Sequence, residues 1–266
     1  MKILITGGAG YIGSILTRDL LQKGHEVTVL DNLIYNKESL IDCCNYKNFN
    51  FVKGDVTNNS TLENVAKDKD ILVPLAAIVG APACKMNPDK SKAINLDSIK
   101  FLCEKTSKNQ MIIFPTTNSG YGVGGESECD ETSPLNPVSL YGKWKVEAEK
   151  LLLDRENSIS FRLATVFGTS PRMRLDLLVN DFTSKAYFDG YIVLFEEHFR
   201  RNYIHVRDVS NSFQFAIKNS EKMIGGSYNV GLSSANLTKR QLCEKIKKFI
   251  PKFYIHSSSI GEGEDK

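Results

Sequence analysis

The stretch Thr6-Gly-Gly-Ala-Gly-Tyr-Ile-Gly13 decides how the rest of the chain is read. Before it, Lys2 to Thr6 is a β-branched run of strand character. After it, Ile15, Leu16, Leu20 and Leu21 recur at helical spacing until Gly24, which is placed to cap the helix C-terminus. A glycine-rich turn between a strand and a helix has a specific use. Gly7 and Gly8 permit a tight turn, Gly10 lets backbone N–H groups approach a pyrophosphate at the helix N-terminus, and Gly13 lets the helix pack close to the strand.

The next strand, Glu26 to Leu30, ends at Asp31, near the ~20-residue offset at which a carboxylate meets both ribose hydroxyls of an adenosine. Asp31 repels a 2′-phosphate and Asn32 brings no positive charge, so NAD is expected rather than NADP. A third strand, Phe49 to Lys53, runs into Gly54-Asp-Val56, where Asp55 is either an acceptor for the adenine amino group or an ordinary acidic turn residue. A helix around Leu62 to Ala66, a strand from Asp70 to Val73, a helix from Pro88 to Ser107 containing Asn95, and a strand from Met111 to Phe114 follow. Small residues Ala76 and Ala77, just past the fourth strand, leave room for a flat cofactor. This β-α alternation predicts a doubly wound parallel α/β sheet with ligands at the carboxyl ends of its strands.

The fifth strand delivers Pro115-Thr-Thr-Asn-Ser119 to that edge, and its hydroxyls either orient a substrate alcohol or form a plain turn. After a glycine-rich acidic loop, Tyr141 and Lys145 open a helix four residues apart, on one face. A phenol has a pKa of about 10 and is a poor base at neutral pH, but a neighbouring ammonium favours the phenolate. Ser158 to Leu163 reads as a further strand. Beyond Gly168 the rhythm changes to a basic loop at Ser170–Arg174, a helix from Leu175 to Phe188, short strands at Tyr191–Phe195, Arg201–Asp208 and Tyr228–Gly231, and a capping box at Thr238–Gln241. The expectation is a dinucleotide-binding domain over 1–168 and a smaller α/β substrate lobe over 169–266.

Composition narrows the function classes. The 266 residues are 41% hydrophobic with a net charge of +3, enough for a sizeable core and without a basic stripe for nucleic acid. No apolar run approaches the ~20 residues of a membrane span, and a soluble cytoplasmic enzyme is expected. The six cysteines and four histidines show no metal-ligand spacing, so no metal is expected.

Together these segments resemble the extended short-chain dehydrogenase/reductase family, in its nucleotide-sugar epimerase and dehydratase branch. The residues that carry the resemblance are Thr6 to Gly13, Asp31-Asn-Leu33, Gly54-Asp-Val56, Leu75-Ala-Ala77, Asn95, Thr117 with Tyr121-Gly122, Tyr141 and Lys145, Arg162 to Gly168, Arg201 to Val209, and Tyr228 to Gly231. The resemblance implies that Gly7, Gly10, Tyr11, Ile12 and Gly13 hold the NAD pyrophosphate, Asp31 and Asn32 the adenosine ribose, and Asp55 and Val56 the adenine. Leu75, Ala76 and Ala77 would line the cofactor path beside Asn95. Tyr141 would be the acid/base, Lys145 would lower its pKa and bind the nicotinamide ribose, and Thr117 would orient the substrate oxygen.

Three departures shape the expectation. Dehydratases of the branch carry Asp-Glu where this chain has Asn118 and Ser119, so the two groups that elimination needs are missing and epimerisation is favoured. Thr165 stands where the family often has Asn, and the sequence stops after Gly261–Lys266 where relatives often continue, so a truncated substrate lobe is expected. Substrate contacts are assigned to Asn118, Ser119, Thr165 and Arg201, the last for the diphosphate, with Arg172 and Arg174 as secondary candidates. The expected activity is that of an NAD-dependent nucleoside-diphosphate-sugar epimerase, its alternatives being a nucleotide-sugar dehydrogenase or reductase with net redox turnover and an inactive NAD-binding regulatory protein. By analogy the Asn95 and Tyr141 helices would pair two subunits into a homodimer.

Overall fold

The computed structural model describes residues 1–35, 38–122 and 129–258. Part of the glycine-rich loop after Gly122 and the acidic tail Gly261 to Lys266 lie outside the described residues. In chain order the first half comprises β1 (Lys2–Thr6), α1 (Gly13–Gln22), β2 (Glu26–Asp31), β3 (Phe49–Lys53), α2 (Asn59–Ala66), β4 (Ile71–Pro74), α3 (Ala81–Met86), α4 (Pro88–Lys92), α5 (Ser98–Lys105) and β5 (Met111–Thr117). The second half comprises α6 (Leu140–Leu153), β6 (Ser158–Leu163), β7 (Thr165–Phe167), α7 (Leu178–Phe188), β8 (Tyr191–Phe195), β9 (Arg200–His205), α8 (Val206–Lys218), α9 (Ser220–Met223), β10 (Ser227–Val230), β11 (Asn236–Thr238), α10 (Lys239–Phe249) and β12 (Tyr254–Ser258).

Seven strands form one parallel sheet in the order β10-β6-β5-β4-β1-β2-β3. Both its faces are covered, so its strands are apolar throughout: Ile3, Leu4 and Ile5 of β1 are all fully buried. One face packs on α1 and α8 through Leu16, Leu20, Val209 and Phe213, the other on α2, α5 and α6 through Leu62, Leu102, Trp144 and Ala148. This is a doubly wound Rossmann fold. The strand order reverses between β1 and β4, opening a crevice at their carboxyl ends.

Two expectations change. The helix read over Pro88–Ser107 is α4, a π-helical turn at Ala93–Asp97 and α5, preceded by the separate α3. Proline sits in the first turn of both α3 and α4, which suits a helix start and breaks a longer one. The boundary at 168 is also crossed, because β10 pairs with β6 at the edge of the main sheet and α8 packs on α1. The remaining elements build a small α/β lobe, with sheets β11-β9-β7 and β12-β8 around Phe182, Tyr203, Leu242 and Phe253. The capping box at Thr238 and Gln241 forms as expected, and Gly24 takes a positive φ of 81° at the end of α1.

Candidate active site

The glycine turn leads from β1 into α1 beneath the crevice. Gly7 adopts φ +70°, and a Cβ there would stand 2.6 Å from the Ala76 backbone nitrogen; at Gly13 it would stand 2.4 Å from the Gly7 carbonyl oxygen. The turn is therefore as compressed as the sequence implied, with Ala76 against it. No side chain caps the N-terminus of α1, which leaves its first backbone N–H groups for an anion. Asp31, at the end of β2, accepts from the Ala9 N–H at 3.0 Å and the Leu33 N–H at 2.8 Å. Those bonds fix the carboxylate beside the turn, and its remaining lone pairs can take ribose hydroxyls. Asn32 donates to Asp55 at 3.0 Å, and Asp55 also accepts from the backbone and hydroxyl of Thr57. Burial acts to raise the Asp55 carboxyl, but the bonds from Thr57 and Asn32 and the charge of Lys90 outweigh it and hold the group below its ordinary value. Val56 is buried beside this pair. The cradle, the uncapped helix and the acid at the strand end fit a dinucleotide.

Two assigned cofactor residues have side chains engaged elsewhere. The Tyr11 hydroxyl donates to the Gly168 carbonyl at 2.5 Å and accepts from Asn180 at 3.1 Å, while Ser170 donates to the Tyr11 carbonyl at 2.7 Å. Only its backbone is left for a phosphate, and its ring joins the glycine turn to the segment before α7. Asn95, 1% exposed, closes a reciprocal pair with Ile78, accepting from its N–H at 3.0 Å and donating to its carbonyl at 2.9 Å. It shapes the segment after Leu75, Ala76 and Ala77.

On the other side of the crevice, β5 ends in Thr117, whose Oγ1 accepts from the Ser119 N–H at 3.1 Å and caps a 3-10 turn over Asn118–Tyr121. Its hydroxyl proton remains to donate. Helix α6 starts at the N-cap Ser139, which accepts from the Gly142 N–H, and its apolar face seats Trp144, Ala148 and Leu152 against the sheet. That rotation brings Lys145 to the β5 end, with Tyr141 one helical turn before it on the same face. Lys145 is 3% exposed; its Nζ donates to the Pro115 carbonyl at 2.9 Å and lies 4.2 Å from the Phe114 ring centroid. Burial pulls its pKa down to about 7. The half-buried Tyr141 phenol makes no hydrogen bond to a described residue and is left for a ligand. Its pKa is raised, first by burial and then by the Cys84 thiol, and Arg174 pulls it down. The expected depression by Lys145 is thus not what the polypeptide itself delivers: a lysine held near neutrality by burial cannot supply a full charge.

Among the assigned substrate residues, Thr165 lies on β7 opposite Tyr203 of β9, one strand repeat from the exposed Arg201, so the two reach the same small sheet. Arg201 makes no ion pair with a described residue. The cation whose charge reaches Tyr141 is Arg174, paired with Asp176, whereas Arg172 stacks on Tyr35 at 4.4 Å. The sequence reading missed Glu149, Asn180 and Cys84. Glu149 alone carried a signal, an acid four residues after Lys145 on the apolar side of a helix.

The model of the NAD dependent epimerase/dehydratase family matches residues 3–231. The chain belongs to that family. Its NAD dependence makes NAD the cofactor of this enzyme, in keeping with the cradle above. Epimerase/dehydratase relatives of both kinds align along most of its length. A dTDP-glucose 4,6-dehydratase of Streptomyces niveus is 28% identical over 93% of this chain and 77% of its own. A UDP-glucose 4-epimerase of Bacillus subtilis is 27% identical over 94% of this chain and 81% of its own. The UDP-Glc/GlcNAc 4-epimerase of Campylobacter jejuni superposes with a TM-score of 0.84 at 25% identity, over 99% of this chain and 88% of that one. No helix among the described residues is long and apolar enough to cross a membrane, and no cluster of described His, Cys, Asp or Glu side chains could hold a metal.

Proposed function

We propose that this family member is a cytoplasmic nucleoside-diphosphate-sugar epimerase that oxidises one sugar hydroxyl transiently and reduces the resulting ketone from its other face. The observation that carries the reading is the turn after Thr117. Asn118 and Ser119 follow it where elimination would need carboxyl groups, and the buried carboxylate of α6, Glu149, is bound to Arg162, Thr116 and Ser160.

The glycine turn, through the backbones of Gly7, Gly10, Tyr11, Ile12 and Gly13, would hold the cofactor diphosphate; Asp31 and Asn32 would take the ribose, and Asp55 and Val56 the adenine. Leu75, Ala76, Ala77 and the Asn95-held segment would wall the path toward Lys145. NAD held there would supply the redox chemistry, as acceptor and donor of hydride, together with a positive charge that favours phenolate. Tyr141 accepts the proton of the sugar hydroxyl and later returns it, Thr117 orients that oxygen, and Lys145 holds the nicotinamide ribose, favouring the phenolate only in its protonated fraction. Asn118, Ser119 and Thr165 face the sugar, with Arg201 toward the diphosphate and Arg174 nearer the reacting end.

The test is incubation of the purified, NAD-supplied protein with a panel of nucleotide sugars, following each sugar's stereochemistry. Interconversion of epimers without net NADH, lost in Tyr141→Phe, is the expected result. Net accumulation of NADH, or of a dehydrated product, would overturn it. The Asn95 and Tyr141 helices, which pack side by side within the subunit, are proposed to form the contact of a homodimer; light scattering showing a monomer at micromolar concentration would exclude that arrangement.

A further inference from the structure

A buried ion pair is a poor source of stability, because desolvating both charges offsets their attraction. Glu149 and Arg162 nevertheless form one, with side chains 2% and 7% exposed and an Nη2–Oε1 distance of 2.7 Å. Its surroundings give a different reason for it. Glu149 Oε1 also accepts from Arg162 Nε at 3.0 Å, and Oε2 accepts from Ser160 at 2.7 Å and Thr116 at 3.0 Å, so both oxygens are fully engaged. Arg162 Nη1 donates to the Tyr121 hydroxyl at 2.9 Å and to the Glu131 carbonyl at 3.1 Å. Tyr121 in turn donates to Asn229 Oδ1 at 2.7 Å, and the Asn229 N–H donates to the Glu131 carboxylate at 2.7 Å.

We propose that Glu149 and Arg162 are positioning residues, a hub that sets the separation between the Thr117 hydroxyl and the Tyr141 phenol. The proposal rests on the acid/base reading of Tyr141. Lys145 and Glu149 are one helical turn apart on α6 and bind consecutive residues of β5, Pro115 through its carbonyl and Thr116 through its hydroxyl. One such tie would be a pivot. Two fix both the rotation and the axial register of the helix against the strand, and Thr117 is the next residue of that strand. The Arg162 arm extends the control: Tyr121 closes the turn that carries Asn118 and Ser119, and Glu131 anchors the segment leading to α6. A single charged pair therefore orients the acid/base helix, the substrate hydroxyl and the turn facing the sugar.

The test uses the full-length, NAD-loaded protein and reads the Tyr141 phenol directly, as tyrosinate absorbance against pH with Tyr141→Phe as the subtracted reference. Glu149→Gln keeps the shape of the side chain while removing its charge, and Thr116→Val cuts the strand tie without leaving a charge unpaired. In both, the expected result is NAD affinity within about threefold of the parent and a Tyr141 titration displaced upward, by about one pH unit in Glu149→Gln and less in Thr116→Val, as the phenol shifts away from the positive charge of the oxidised cofactor. Thr116→Val decides the matter if Glu149→Gln does not fold. A Tyr141 titration unmoved in the folded variants overturns the positioning role and leaves the acid/base reading standing. No titration attributable to Tyr141 in the parent overturns both.

Discussion

Lys145 sits in a conflict between burial and charge that has a measurable consequence. Its pKa is pulled to about 7 by burial, so between that value and its unfolded value of about 10 the unfolded chain binds more protons than the folded one. Lys145 by itself therefore adds stability as pH rises across that window, by about 2 kcal/mol between pH 7 and about pH 9, while the thiols of Cys43, Cys103 and Cys243, raised by burial, act in the opposite direction because they ionise first in the unfolded chain. Above about pH 10 the raised Tyr141 phenol reverses the sign, since the folded state then holds the extra proton. Chemical denaturation of the parent and of Lys145→Met across this range should show the stability difference between them changing by that amount in favour of the parent, since the thiol contribution is common to both. A difference between parent and Lys145→Met that stays constant with pH would mean that the ammonium is not desolvated. The Tyr141–Lys145 spacing was legible in the sequence because helix geometry alone places those residues on one face. The direction of the phenol's shift was not, because it depends on how deeply the tertiary structure buries both groups.

Elements make contacts that no local pattern announces. The glycine turn reads clearly because backbone conformation demands its residues: Gly13 has no room for a Cβ. Tyr11 in the same motif could be read only as a phosphate-loop residue, since its partners Gly168 and Asn180 are more than 150 positions away. Glu149 and Arg162 are likewise joined by the packing of α6 on β6. The break at the π-helical turn escapes a periodicity reading too, because the apolar spacing through Ile94, Leu96, Ile99 and Leu102 stays nearly helical across it. The Tyr11 clasp yields a prediction at this scale. Tyr11→Phe leaves the ring packed but removes the hydroxyl that bridges Gly168 and Asn180, so unfolding free energy should fall by about 1–2 kcal/mol and NAD should dissociate faster as the segment before α7 loosens. Unchanged stability with an unchanged NAD off-rate would show that the clasp does not brace the cofactor turn.

At the scale of the molecule, β-α alternation was enough to give the doubly wound sheet, whereas the domain boundary was not readable. The short Tyr228–Gly231 strand looks like a lobe element in sequence, yet β10 completes the main sheet beside β6, and Asn229 on it reaches Tyr121 and Glu131. The part of the chain that builds the small lobe thus also returns to brace the turn after Thr117, so the proposed cofactor and sugar sites would be assembled by one interleaved body. We propose that this body carries out reversible oxidation at a single carbon. This activity is tested most directly by proton NMR of the NAD-loaded protein turning over nucleotide sugars in deuterated water. Hydride kept within the site predicts interconversion of epimers with no deuterium at any sugar carbon and no net NADH. Deuterium incorporation into the sugar together with loss of water, or accumulation of NADH, would rule out epimerisation.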